Sequence, residues 1–175
     1  MDKLDIVTDE SGNEVVLLPE IIFSNKQNIN WNDVEDYLGK YVGELIEIAE
    51  TRDIIYIGNK FPDEYGGSSY TRKTKGARAK AKANAAQGIR EMVEIATDKV
   101  YRENHKEKHS EDAHNGWFYY VTSFAIPLYN NEKKTGEYNV YSACLVVNHA
   151  ANGKMYLYDV VGIKKEASNP LKTIK

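Results

Sequence analysis

The spacing of apolar positions changes along this chain, and each change predicts a different element. Val15 to Leu18 form a short apolar run closed by Pro19, and Ile21 to Phe23 form a second that suits an edge strand. The DESGNE stretch ahead of them reads as a turn or loose hairpin tip. Next, NINWNDVEDYLGKYVGELIEIAE sets Trp31, Val34, Leu38, Val42, Leu45 and Ile48 at steps of three and four. That is the spacing of one buried helical face. Asn30 or Asn32 can cap such a helix, with Asp33 and Glu35 in its first turn, where the helix dipole favours acids. Gly39 and Gly43 weaken it or admit a close neighbour. RDIIYIGN then reads as a short buried strand ended by a Gly-Asn turn.

The stretch KFPDEYGGSSYTRKTKG, with a proline and two adjacent glycines, predicts a long loop of functional size. From Ala77, ARAKAKANAAQGIREMVEIATDKVYRENHKEK predicts the longest helix, with Ala85, Ile89, Met92, Val93, Ala96 and Val100 on one face. The last third changes period. GWFYYVTSFAIPLY, YNVYSACLVVNH and MYLYDVVGI are rich in β-branched and aromatic residues, and Asn152-Gly153 between two of them is a hairpin signal. The expected fold class is therefore α+β: N-terminal helices packed on a small C-terminal antiparallel β-meander sheet. A single domain over residues 1–175 is expected, with 1–18 and 165–175 loosely ordered.

Composition narrows the class. The chain is 42% hydrophobic with a formal net charge of −3, which is globular and excludes wholesale disorder. No apolar run reaches the length of a spanning helix, and the N-terminus lacks the apolar core of a signal peptide. A cytoplasmic protein without a membrane partner is expected. Cys144, the one cysteine, can form no intramolecular bridge and sits in the apolar run SACLVV, where core packing suits it better than nucleophilic chemistry.

Against the acidic balance stands one basic cluster. Arg72, Lys73, Lys75, Arg78, Lys80 and Lys82 follow one another without an intervening acid, at the start of the expected helix. Backbone N–H groups at a helix start add to the attraction for phosphate, and Tyr65 and Tyr70 just upstream can stack on bases. A solvated helix face is the plainer alternative. His105 and His109 have metal-ligand spacing, but Lys106 stands where a zinc protease needs glutamate, so neither a metal site nor a cofactor is expected. One of His105, His109 and His114 suits a general acid or base better, while His149 suits an exposed turn. Nucleotide-binding glycine loops and a Gly-x-Ser-x-Gly elbow are absent from the sequence. Thr122 and Ser123 on an expected strand can hydrogen-bond a phosphate, whereas the strand tyrosines suit packing.

Read together, KGARAKAKANAAQGIREMVEIATDK, ENHKEKH, GWFYYVTSFAIPLY and YNVYSACLVVNHAANGKMYLYDVVGIKKEASNPL resemble a domain of phage and integrative-conjugative elements. That family is classed with the barnase–EndoU–colicin–RelE-like nucleases, often as a piece of large polyvalent proteins. The resemblance covers roughly residues 50–172. It implies a metal-independent ribonuclease, by analogy of fold. Lys75, Lys80, Lys82, Asn84 and Gln87 match its helix start, His109 its EKH segment, and Tyr158 with Asp159 its YLYD strand. The pattern it resembles often has arginines at the places of Tyr119, Ser123 and Asn148. The expected catalytic set is His109, Lys82, Thr122 and Tyr158, with Arg72, Lys73, Lys75, Arg78, Lys80 and Tyr70 binding nucleic acid, RNA above DNA. The alternative is an inactive binding protein that grips nucleic acid, meets a cognate inhibitor, or blocks a host defence protein.

Overall fold

The computed structural model describes residues 3–24, 28–103, 115–166 and 170–172. The C-terminal meander is present. Strands β6 (Trp117–Asn130), β7 (Lys133–His149) and β8 (Met155–Lys165) run antiparallel, and the Asn152-Gly153 turn closes the second hairpin. The sheet, however, is neither small nor purely antiparallel, nor is it confined to the C-terminal end. Among the described residues it has nine strands, in the order β1 (Ile6–Thr8), β2 (Glu14–Leu17), β6, β7, β8, β4 (Ile54–Tyr56) and β3 (Leu45–Glu47), with β5 (Thr97–Arg102) on β6 and β9 (Leu171–Lys172) on β7. The hairpin of β1 (Ile6–Thr8) and β2 (Glu14–Leu17) joins β6 in parallel, with Val16 opposite Phe124. On the far side, β4 (Ile54–Tyr56) joins β8 in parallel, with Ile55 opposite Met155. The expected helices-on-a-small-meander architecture is thus replaced by a curled mixed sheet flanked by N-terminal strands. The reason is edge pairing: a meander with long strands leaves backbone donors and acceptors open on both flanks, and distant segments satisfy them.

Helix α1 (Trp31–Leu38) starts where expected, with the Asn30 side chain accepting from the N–H groups of Asn32 and Asp33. It buries Val34 and Leu38 and ends at Gly39 rather than continuing to Ile48. Gly43 has φ +94, a conformation that turns the chain back, and Leu45–Glu47 becomes β3. There Ile46 and Ile48 are buried and Leu45 faces solvent, the period of two of a strand.

The expected loop is helical. Pro62 occupies the first turn of α2 (Phe61–Gly67), a position that needs no backbone N–H, with Asp63 and Glu64 beside it. Ser68 caps α3 (Ser69–Lys73) by accepting from the Thr71 N–H. A Cβ at Gly66 would lie 2.6 Å from the Glu35 side chain, so glycine permits α1 and α2 to approach.

The long helix is cut short. α4 (Gly76–Ala85) passes through a 3-10 turn into α5 (Ile89–Glu94), and Thr97–Arg102 pairs with β6 as β5. Gly88 fits against Leu18 and Val16, where a Cβ would lie 3.1 and 3.2 Å from their side chains. The core lies between these helices and one sheet face, where Ile89, Met92 and Tyr65 meet Phe124, Leu145 and Val160. Among the described residues no helix is long and apolar enough to cross a membrane.

Asp53, at the start of β4, ties this sheet together. It accepts hydrogen bonds from Tyr120 (2.7 Å) and Thr51 (2.8 Å) and pairs with Lys99 at 2.8 Å. Burial pushes its carboxyl up, but those donors outweigh burial and hold it below its ordinary value of 3.8. A carboxyl that releases its proton more readily when folded stabilises the fold above its unfolded value. That stabilisation is lost as pH falls through the folded one. We expect Asp53→Asn to cost about 1–3 kcal/mol near neutrality. In urea titrations the gap from the parent should close below about pH 4; a gap constant across that range would refute it.

Candidate nucleic-acid interface

The cationic segment spans the join between α3 and α4. Lys75 precedes α4 in an extended conformation without a side-chain cap, and the first turn of α4 holds no acid. Its leading N–H groups are therefore not capped by a side chain, and they lie among cations. Arg72, Lys73, Lys75 and Arg78 are exposed and Lys80 is half-buried. Among the described residues none of the five pairs with a carboxylate; the Arg72 Nε donates to the Gly67 carbonyl at 3.0 Å. Three of them, Arg72, Lys75 and Lys80, line a groove of about 520 Å³ together with Trp31 and Asn28.

The segment leading to Ser24, which lines the groove, is fixed to the helices. Asn84, fully buried, accepts from the N–H groups of Ile22 (2.8 Å) and Phe23 (3.1 Å) and donates to the Phe23 carbonyl. Gln87 donates to the Glu20 carbonyl at 2.8 Å. Ile21 to Phe23, expected as an edge strand, pairs with no strand among the described residues and is held instead by Asn84 of α4 and, through Glu20, by Gln87 of the 3-10 turn. The two helix-start amides are thus structural clamps.

Lys82 departs furthest from its expected role. Its side chain is wholly buried, with Nζ 2.6 Å from Asp159 and 2.6 Å from the Thr71 hydroxyl, over the rings of Tyr65 and Tyr70. The second half of α4 is enclosed on all sides, since Ala81, Lys82, Ala83, Asn84 and Ala85 are all buried. Alanines leave room for that enclosure. Asp159 reaches Lys82 because β8 carries a bulge: Leu157 faces Val147 and Asp159 faces Val146, leaving Tyr158 extra. A bulge breaks strict alternation, and here Asp159 and Val160 are buried in succession. Burial pushes the Asp159 carboxyl up and the Lys82 ammonium down, while their mutual attraction opposes both shifts.

The other expected catalytic residues do not join it. Thr122 is buried and donates to the Met92 carbonyl at 2.7 Å, fastening α5 to β6. Tyr158 lies on the opposite sheet face, its ring edge-on to Trp117 at 5.0 Å. His109, with His105 and His114, lies outside the described residues. Lys82, Thr122 and Tyr158 therefore do not surround one anion. Tyr65 is buried, and the Tyr70 hydroxyl accepts from the Ile163 N–H at 2.9 Å. Both tyrosines support the buried pair rather than stack on bases. His149 ends β7 half-buried against Phe118 rather than exposed in a turn. The aromatic ring that does line the groove is Trp31, which packs against the core as helical spacing predicts and also faces the groove. Its position right after the helix cap was the available signal, because a first-turn side chain stands at an element's edge.

Among the described residues no group of three or more histidines, cysteines or acids is placed to hold a metal. Neither a protein-family model nor a curated protein matches the chain.

Proposed function

We propose that the chain is a nucleic-acid-binding protein that grips a phosphate backbone along the α3–α4 groove, with single-stranded RNA as its favoured partner. One observation carries this: in a chain of net charge −3, five neighbouring cations, none paired with a carboxylate among the described residues, surround the start of α4, which no side chain caps. Phosphate contacts position such a strand, and the half-buried Trp31 offers a face on which a base stacks. The sequence resemblance to mobile-element nucleases points to RNA above DNA.

Fluorescence polarisation of a labelled mixed-sequence RNA tests this reading. Affinity should fall steeply with salt, and Trp31→Ala should weaken binding about 5- to 100-fold, the worth of one stacked base. Salt-independent binding, or none, would end the proposal. The narrower reading, a metal-independent ribonuclease, has to draw its chemistry from His109 and Tyr158, because Lys82 and Thr122 are buried and engaged. The same RNA kept in chelator decides between the two. Intact RNA marks a binding protein; cuts that disappear in His109→Ala mark a nuclease.

A further inference from the structure

A second cleft, of about 240 Å³, opens beside β8, with Asn148, Tyr156, Tyr158, Phe61, Lys60 and Glu64 in its lining. It is smaller than the roughly 300–1,000 Å³ of pockets for drug-sized ligands, and suits one planar ring system. Asn148 is the telling residue. Only 7% exposed, it keeps a buried Oδ1 with no hydrogen-bond partner. Such an atom costs free energy unless something donates to it. Among the described residues nothing does so. A ligand N–H can.

The surroundings narrow the ligand. Tyr156 stands opposite Asn148 in the β7–β8 ladder, and Gly58 leaves room for its ring, since a Cβ there would lie 3.3 Å away. Tyrosine and phenylalanine rings supply flat apolar walls, and Glu64, also in the lining, supplies a second acceptor. Two acceptors beside aromatic walls match an exocyclic amino group with two hydrogens on a planar heterocycle. A carboxamide also pairs with adenine at two points, accepting from N6–H and donating to N7. We propose that this cleft binds a single adenine base, its 6-amino group shared between Asn148 and Glu64. The cleft is lined by other residues than the cationic groove, and the proposal stands without it.

Equilibrium dialysis with adenosine and with inosine, which has oxygen in place of the 6-amino group, tests it. Adenosine should bind saturably and largely independently of salt, with inosine at least about tenfold weaker, the loss of one or two hydrogen bonds. Asn148→Leu and Glu64→Gln should each weaken adenosine several-fold. Glu64→Gln keeps the test open if the buried leucine prevents folding. Lys75→Glu with Arg78→Glu should leave adenosine binding intact while RNA binding falls, so failure of the groove and failure of the cleft are told apart. An oligoadenylate that outbinds adenosine would link the cleft to a strand, and equal affinity would mark a free nucleoside as its occupant. Absence of saturable adenosine binding up to about 1 mM, or equal affinity for inosine, overturns the proposal.

Discussion

Asp159→Ala should cost about 3–5 kcal/mol of stability, the largest effect of any single substitution considered for this fold. The carboxylate lies 2.6 Å from a fully buried ammonium, and its removal leaves Lys82 with the Thr71 hydroxyl and two aromatic rings. A charge so placed must be rehydrated, by opening the structure, or lose its proton. The second route has a pH signature. Burial already holds the Lys82 ammonium below its ordinary value, so the unfolded chain binds the extra proton and stability rises with pH towards 10.5. The deficit of Asp159→Ala should therefore shrink in alkaline urea titrations. Lys82→Met combined with Asp159→Leu should recover most of the loss, since apolar side chains of similar volume replace a buried pair at little cost. A single-variant loss under about 1 kcal/mol would show that the pair does not hold α4 against β8.

Lys75→Glu with Arg78→Glu should weaken RNA binding about 10- to 1,000-fold at low salt, and flatten its salt dependence by roughly one unit of slope per lost contact. Both side chains are exposed and neither pairs with a carboxylate among the described residues, so the thermal midpoint should hardly move. That separation matters. Lys82→Glu, in the same basic run, places a carboxylate against Asp159 and should fail through stability instead. Unchanged RNA affinity in the double reversal would leave the cluster a solvated surface.

Much of this architecture was legible in the residues. The alternation of β6 to β8, the Asn152-Gly153 turn, the Asn30 cap and the strand at Ile54–Tyr56 all stand where local pattern put them. Local pattern misled where two signals competed. In ELIEIAE, spacing from Trp31 favours helix while Ile46 and Ile48 alternate, and Gly43 decides for a turn and a strand. In KFPDEYGG, proline and glycine look like breakers, yet Pro62 sits in a first turn that tolerates it and Gly66 in a helix contact that requires it.

The exposed cations were readable as a cluster from sequence alone; the fate of the sixth was not. Lys82 differs from Lys80 only in facing β8, where a bulge turns Asp159 inward from 77 residues away.

By itself, then, the chain's order of residues determined periodicity, turns, caps and the local run of positive charge, because these depend on neighbours within a few positions. Tertiary structure decided which strands flank the meander, where the long helix breaks, and which lysine is buried. Those outcomes depend on distant backbone edges and carboxylates meeting, and short-range pattern carries no record of such encounters.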